Sequence, residues 1–413
     1  MNESFLVSHL TGNTFSRALL EELEKRGSLH SFHTTLGLAN DSPWKRFLPP
    51  VRRHRSFPVP RKRLRLHPLK EIRRLGTGAL GGQERRRRLA DASYFNLDQA
   101  VARTLSQERP TIVHAYEDGA DATFRMAGEL GIFRSYELPI AYWTTTRRLL
   151  MEEAERLPDW EPTLEATREP EEKLIRKTEE IHRADAITCP SDFVLESIPA
   201  EIRAVKPCLV ASFGSPSATE CPGTRREMRA KDSPLRVLFV GSMSQRKGLA
   251  DLFKAIRLLN TDKVELIVLG APSLPMNFYQ QQLPNFTHHP SAPRREVLEV
   301  MRSCDVFALP SIIEGRALVQ QEAMSQGLPL IVTTNAGGDD LIDEGHTGFL
   351  VPIRSPEVIA EKLEWFLRNR DVIPAMREEA ALKAASYSWS NYARSIIDFC
   401  LRQRPSGTTM QAA

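Results

Sequence analysis

Two glutamates, Glu314 and Glu322, stand in the stretch Ser311-Ile-Ile-Glu-Gly-Arg-Ala-Leu-Val-Gln-Gln-Glu-Ala-Met-Ser-Gln-Gly-Leu-Pro329. The spacing puts Glu314 and Gly315 where a strand gives way to a helix, with Glu322 about two turns along it. Gly327 and Pro329 then end the helix. One carboxylate at the mouth of a cleft and one deeper along its wall could accept hydrogen bonds from the hydroxyls of a sugar and a ribose. The backbone amides of Gly315, Arg316 and Ala317 are expected to point into the same space. Taken alone, the spacing equally suits a helix-capping Glu314 and a surface Glu322. A second stretch, Gly241-Ser-Met-Ser-Gln-Arg-Lys-Gly248, also follows a strand and opens a helix. A glycine turn, the cations Arg246 and Lys247, and free helix amides suit a phosphate or diphosphate. They also suit an ordinary turn with a solvated Arg-Lys pair, and no Walker loop is present.

The elements that must position these residues read as two βα series. The first opens with Phe5-Leu-Val-Ser-His, the Gly12-Asn13 turn, a helix to Gly27 and a strand from Ser31. It resumes at Thr111-Ile-Val-His-Ala-Tyr, with a helix from Gly119 to Leu130 and a strand at Ser135-Tyr-Glu-Leu-Pro. A long acid-rich helical stretch is expected from about Met151 to Arg183, then a strand at Ala186-Ile-Thr-Cys and a helix capped by Ser191. Pro199 to Pro234 is rich in Pro, Ser and Gly and reads as the linker. The second series starts at Leu235-Arg-Val-Leu-Phe-Val, an apolar run of the kind buried in a parallel sheet. In such open sheets ligands sit beyond the carboxyl ends of the strands.

At 413 residues the chain is long enough for two domains, and 41% hydrophobic with 26% charged residues excludes a disordered or collagenous polypeptide. Five scattered cysteines, none in CxxC spacing, suit a reducing cytoplasm better than a disulfide framework or a zinc site. No membrane-spanning run and no signal-peptide pattern at Met1 is apparent, so the expected compartment is the cytoplasm. The net charge of +4 hides an asymmetry: Lys45 to Arg88 holds sixteen Lys/Arg against Glu71 and Glu84, a local +14 that leaves −10 elsewhere. Arg63-Leu-Arg-Leu-His within it alternates as a short strand with one basic face. This run admits a solvated surface, contact with nucleic acid through Trp44, Phe47 and Phe57, or contact with an anionic membrane or acidic acceptor. Gly76-Thr-Gly-Ala-Leu-Gly81 matches GxGxxG but follows no buried strand, and adjacent His288-His289 lack a third metal ligand.

Six motifs in order over Leu235 to Pro352 resemble the donor domain of glycosyltransferase family 4, of GT-B fold. They are Gly241 with Lys247-Gly248, Glu314-Gly315, Glu322-Ala-Met, Gly327-Leu-Pro329, Asn335-Ala-Gly-Gly338, and Gly345-His-Thr-Gly348-Phe-Leu-Val-Pro352. Gly12-Asn13, His114-Ala-Tyr-Glu117, Ala184 to Ser191 and Tyr387-Ser-Trp389 are looser matches. The resemblance implies α/β architecture: two facing Rossmann-like domains with an interdomain cleft and a C-terminal helix crossing back to the first. The expected division is an acceptor-side domain 1–205 completed by helix 388–404, a donor domain 206–387, and a tail 405–413. It implies a hexosyltransferase-type enzyme that moves a sugar from a nucleotide-diphosphate sugar to an acceptor hydroxyl with retention, in polysaccharide or glycolipid biosynthesis. No metal or other cofactor is expected.

By that resemblance Lys247, helped by Arg246 and the Gly241 turn, neutralises the diphosphate. Glu314 binds donor-sugar hydroxyls beside the amides of Gly315, Arg316, Ala317 and Leu318, and Glu322 holds the ribose. Gly12 lets its loop approach the diphosphate, and His114, Tyr116 and Glu117 face the acceptor. Two positions depart from the family pattern. Ser242 stands where many members have arginine, and Tyr116 where many have histidine. Expected partners are a nucleotide sugar, a sugar, lipid-linked or polysaccharide acceptor, and an anionic surface against residues 45–88, which would make the protein peripheral on the inner face of the cell membrane. A catalytically silent nucleotide-sugar-binding protein with a basic docking segment is the alternative.

Overall fold

The computed structural model describes residues 3–43, 55–77, 82–216 and 233–405, the side chains of Gln83, Glu165 and Ala166 aside. Trp44, Phe47, Gly78 to Gly81, residues 217–232 of the linker with Cys221, and residues 406–413 lie outside the described residues.

Seven parallel strands form the first sheet: β1 (Phe5–Ser8), β2 (Leu29–Thr34), β3 (Leu64–Leu66), β4 (Ile112–Tyr116), β5 (Phe133–Glu137), β6 (Ala186–Cys189) and β7 (Cys208–Val210), in the order 3-2-1-4-5-6-7. Six more form the second: β8 (Leu235–Val240), β9 (Val264–Leu269), β10 (Thr287–His289), β11 (Val306–Leu309), β12 (Leu330–Thr333) and β13 (Gly348–Val351), in the order 10-9-8-11-12-13. Between and after the first seven run α1 (Thr14–Lys25), α2 (Leu69–Thr77), α3 (Gln83–Glu108), α4 (Asp121–Glu129), α5 (Trp143–Arg156), α6 (Glu171–Arg183), α7 (Asp192–Ser197) and α8 (Ala200–Val205). The second half adds α9 (Leu249–Leu259), α10 (Met276–Gln282), α11 (Arg294–Ser303), α12 (Leu318–Ser325), α13 (Pro356–Arg368), α14 (Ile373–Ala385) and α15 (Trp389–Gln403).

Each sheet reverses its winding beside its first strand, at β1/β4 and at β8/β11, which opens a crevice at the carboxyl ends there. Strands such as β1, β4 and β11 are buried throughout, and β8 at all but Arg236, as helices on both faces require. α15 starts at the Ser388 cap, whose hydroxyl accepts from Asn391 N, and packs its Tyr392, Ile396 and Ile397 into the first domain's core beside α1. The Tyr392 hydroxyl donates to Glu137 Oε1 on β5 at 2.6 Å. No helix among the described residues is long and apolar enough to cross a membrane.

Two expectations are corrected. The stretch 151–183 is not one helix: α5 ends at Arg156, and 3-10 turns at Pro158–Thr163 and Glu165–Arg168 precede α6. Pro158, Pro162 and Pro170 break it, since proline interrupts the helical hydrogen-bond ladder. The excursion carries Trp160 into the second domain's core, against Phe253, Phe278 and Tyr279. The first sheet also runs past residue 205, because β7 pairs with β6 through Cys208 to Val210. The expected boundary at 206 therefore falls too early.

Candidate functional site

Gly241 follows β8, and a 3-10 turn over Gln245–Lys247 leads through Gly248 to α9. Gly248 sits at φ +73°, and a Cβ there would stand 1.9 Å from the Pro310 carbonyl oxygen, so only glycine lets the turn pass β11 so closely. This packing aims both cations at Glu314. Lys247 Nζ lies 2.6 Å and Arg246 Nη1 2.8 Å from Glu314 Oε1, with Lys247 and Glu314 both buried. Burial lowers the Lys247 pKa, and Glu314 only partly restores it. At Glu314 burial opposes the charge, but Lys247 and Arg246 outweigh it and hold the carboxyl below its ordinary range. The result is an anion-ready pair of cations held in place by an internal carboxylate.

A lattice of bonds from the first domain holds this turn. Gln245 is buried; its amide donates to Thr163 Oγ1 at 3.0 Å, and its Nε2 to Glu153 Oε2 and Asp251 Oδ2 at 2.8 Å each. Arg156 Nη1 and Nη2 grip Asp251 at 2.9 and 2.7 Å, and Arg354 also binds Glu153. Sequence reading missed these residues, because the acids and arginines of α5 look like a solvated helix until Trp160 anchors the segment next to α9.

The Glu314 loop departs from its expectation at one amide. Ala317 N is not free: it donates to Ala336 O at 3.1 Å, as Glu314 N does to Asn335 O at 3.0 Å. The amides of Gly315, Arg316 and Leu318 keep no acceptor among the described residues. The Arg316 side chain turns away from the cleft and is buried, with Nη1 and Nη2 on Asp340 at 2.6 and 3.1 Å and Nε on Gln321 Oε1 at 3.1 Å. Glu314 does not cap α12: the cap is Ala317, with no side-chain bond. Glu322 sits mid-helix, half-buried, with Oε1 3.1 Å from Arg294 Nε.

Gly315 is a second point where the two domains touch. Ser191 Oγ donates to its carbonyl at 2.6 Å, and a Cβ on it would stand 1.8 Å from the Pro139 carbonyl oxygen of the first domain. On the other side of that contact lies a cleft of about 200 Å³ lined by His9, Asn13, Phe15, Tyr116, Glu117 and Pro139 among others. Glu117 follows β4 and is nearly covered. Its Oε1 lies 3.6 Å from Lys177 Nζ and accepts no hydrogen bond among the described residues. Burial, with Asp118 and Glu169 adding to it against Lys177 and Lys173, raises the carboxyl to about 7. Burial also raises the Tyr116 phenol, helped by Glu137.

His9 was not singled out from sequence, where it only ends an apolar run. Its Nδ1 accepts from Gly12 N at 2.8 Å and Thr11 N at 3.2 Å, which leaves the proton on Nε2. Burial, then His114 and Arg17, lowers its pKa to about 3, so the ring is neutral. One expected first-domain role, that of His114, is corrected. His114 is enclosed within the sheet, its Nδ1 2.9 Å from Ser135 Oγ and its Nε2 3.1 Å from Glu137 Oε2, so it does not face the cleft. Gly12 at φ +63° is required by Phe57: a Cβ there would lie 2.0 Å from Cε1 of that ring. Its glycine thus answers packing inside the first domain. His288 bonds Gly270 O at 2.9 Å, and among the described residues no group of three or more His, Cys, Asp and Glu could hold a metal ion.

Two facing Rossmann-like domains, a crevice at the switch point of each, and a last helix returned to the first domain define the GT-B fold. Residues 223–386 match the family model of glycosyl transferases group 1. The chain is 28% identical over 253 residues to a D-inositol 3-phosphate glycosyltransferase of Corynebacterium urealyticum, covering 56% of this chain and 60% of the relative. It is 30% identical over 176 residues to the putative colanic acid biosynthesis glycosyltransferase WcaL of Salmonella typhimurium, covering 39% and 43%. These alignments span about half the length of the curated relatives. Among solved structures, sucrose-phosphate synthase from Thermosynechococcus elongatus superposes with TM-score 0.61 at 16% identity, over 97% of this chain and 98% of that one. Anabaena Alr3699/HepE in complex with UDP gives TM-score 0.62 at 14% identity, over 97% and 100%.

Proposed function

We propose that the cleft transfers a sugar from a nucleotide-diphosphate sugar to an acceptor hydroxyl, with retention of configuration. The observation that carries this reading is the convergence of Lys247 and Arg246 on Glu314 at the β8/β11 switch point. An incoming diphosphate takes over the cations, and Glu314 becomes available to donor-sugar hydroxyls beside the amides of Gly315, Arg316 and Leu318. Glu322 is the candidate for the ribose. The bond from the anomeric carbon to the diphosphate oxygen breaks while the acceptor oxygen bonds that carbon on the same face. The acceptor's proton passes to the leaving diphosphate. Positive charge comes from Lys247 and Arg246, so the reaction is proposed to need no metal. Cations and amides placed where charge develops make the largest contributions in such sites.

The first-domain cleft is the proposed acceptor side. Glu117 and Tyr116 line it, and Glu117 offers hydrogen-bond acceptance to ring hydroxyls while His9 Nε2 offers a donor. The relative named for D-inositol 3-phosphate and the neighbour held with UDP-glucose are consistent with a hydroxylated acceptor and a nucleotide-sugar donor. The proposed place of action is the cytoplasm, with an anionic membrane surface facing residues 45–88 and a polysaccharide or glycolipid as product.

A thermal-shift screen against UDP, GDP and ADP sugars tests the donor site. One class should raise the Tm of the wild type and fail to do so for Lys247→Ala and Glu314→Ala. Equal shifts in all three proteins, or none in the wild type, would remove the assignment.

A further inference from the structure

α2 is an inverted surface helix. Its one buried residue is a carboxylate, Glu71, at 0% exposure, while Leu69, Ile72 and Leu75 stand 80%, 55% and 53% exposed, and neighbouring Leu66 on β3 43%. Residues three apart share one helix face, so Leu69, Ile72 and Leu75 form a continuous aliphatic stripe. The cause lies beneath it. Arg55 Nη2 meets Glu71 Oε1 at 2.5 Å, and Arg74 Nε and Nη2 meet Glu71 Oε2 and Oε1 at 2.7 Å each, which pins the polar face of α2 to the domain. A helix fastened through its polar side has only its apolar side left for solvent.

The charges around the stripe divide in two. Five of the sixteen cations counted in the sequence are paired within the protein: Arg55 and Arg74 on Glu71, Arg63 on Glu24, Arg65 on Glu108, and Arg88 on Glu84. Lys62, Lys70 and Arg73 are exposed and make no ion pair among the described residues. Lys70 and Arg73, three residues apart, form a basic edge directly beside the aliphatic stripe, and Lys62 lies just before β3.

We propose that α2 is a membrane-docking helix that lies in the interface of an anionic bilayer, with Leu69, Ile72 and Leu75 among the acyl chains and Lys62, Lys70 and Arg73 at the headgroups. Aliphatic area and the cations Lys70 and Arg73 side by side on one exposed helix match such a surface on both counts, since apolar burial and anionic lipid attraction add. A basic edge would disfavour a second copy of this face, which carries the same sign. The inference refines the anionic-surface partner proposed above and is independent of the donor chemistry.

The test is co-sedimentation of the full chain with vesicles of phosphatidylcholine alone and of phosphatidylcholine with phosphatidylglycerol, alongside sedimentation velocity without lipid. The wild type should bind the anionic vesicles and stay with the supernatant of the neutral ones. Leu69→Ser/Ile72→Ser/Leu75→Ser should weaken binding by roughly tenfold or more, and Lys70→Gln/Arg73→Gln by a similar factor, since each cation near an anionic surface contributes about 1 kcal/mol. All these side chains are exposed, so both variants should keep the wild-type Tm and its nucleotide-sugar response. Equal binding to both vesicle types, no binding to either, or undiminished binding of the triple variant would overturn the proposal. So would a lipid-free dimer of the wild type that the triple variant abolishes, because the stripe would then be a contact between copies. A failed donor screen with intact vesicle binding would count against the proposed reaction alone.

Discussion

The two walls of the cleft are built from the same strand-turn-helix unit and handle charge in opposite ways. In the second domain Glu314 is buried yet kept ionised, because Lys247 and Arg246 reach it directly. In the first domain Glu117 is as well covered, but its nearest cation stops at 3.6 Å and is shared with Glu169, so its carboxyl is pushed up to about 7. Burial alone therefore does not set the state of a carboxyl; the distance to a committed partner does. One wall suits a permanently charged diphosphate, and the other suits hydroxyls that need an acceptor.

The comparison can be broken from either side. Lys247→Ala should cost most, a fall in turnover of about 100- to 1000-fold, because it removes the cation and leaves Glu314 in part uncompensated. Steady-state release of nucleotide diphosphate checks it. Gly315→Ala comes next, since its Cβ meets the Pro139 carbonyl and pushes the walls apart. Misplacement by about 1 Å can cost about 100-fold, and turnover should fall while nucleotide-sugar thermal shifts persist. Loss of both together would mean that Gly315 serves the donor wall alone.

Glu117→Gln should raise the acceptor KM by about tenfold through one lost charge-assisted bond, with a smaller effect on kcat. The wild type's affinity for acceptor should improve as pH rises through about 7, and the variant should lose that dependence. The groups facing Glu117 are Lys173 and Lys177 of α6, Glu169 before it, Tyr94 of α3, neighbouring Asp118 and neutral His9. Stability moves the other way. A carboxyl raised to about 7 from an ordinary 4.5 binds its proton more tightly in the native state, so stability falls between those pH values and the loss is complete above 7. Glu117→Gln should accordingly raise Tm at pH 8, by the equivalent of about 1–3 kcal/mol, and change it less at pH 5. A pH-independent acceptor KM in the wild type would remove the contrast between the walls. Glu322→Gln should have the smallest effect, a few-fold weakening of donor binding seen in the thermal-shift titration, because the amide keeps a hydrogen-bond acceptor for the ribose and the half-exposed pair with Arg294 contributes only about 1 kcal/mol or less.

The second domain was the more legible of the two. Gly241 to Gly248 and Glu314 to Pro329 are local segments in which strand end, turn and helix follow one another, so residue types mark their places in the fold. The first domain's contribution depends on contacts between distant segments. Glu153 and Thr163 look like surface residues until Trp160 is seen buried against α9 and α10. Nothing near His9 in sequence shows that Gly12 and Thr11 donate to its ring. His114 alternates correctly for a strand, but which face of the sheet it serves is settled by Ser135 and Glu137 on β5. The Ala317 amide was misjudged for the same reason, since its acceptor, Ala336, lies beyond the next strand. The charge count from Lys45 to Arg88 was right as a sum and incomplete as a surface, because intramolecular acids claim five of its sixteen cations and the exposed aliphatics of α2 do not show in a charge tally.

The most direct test of the donor-site account is nucleotide diphosphate release by the wild type and by Lys247→Ala, for each nucleotide sugar that stabilises the protein, with and without a panel of hydroxylated acceptors. The account predicts acceptor-stimulated release by the wild type, a product that keeps the donor's anomeric configuration by NMR, and release by the variant lower by about 100-fold or more. A wild type that binds donor yet releases nothing with any acceptor, or a variant that turns over at the wild-type rate, would contradict it.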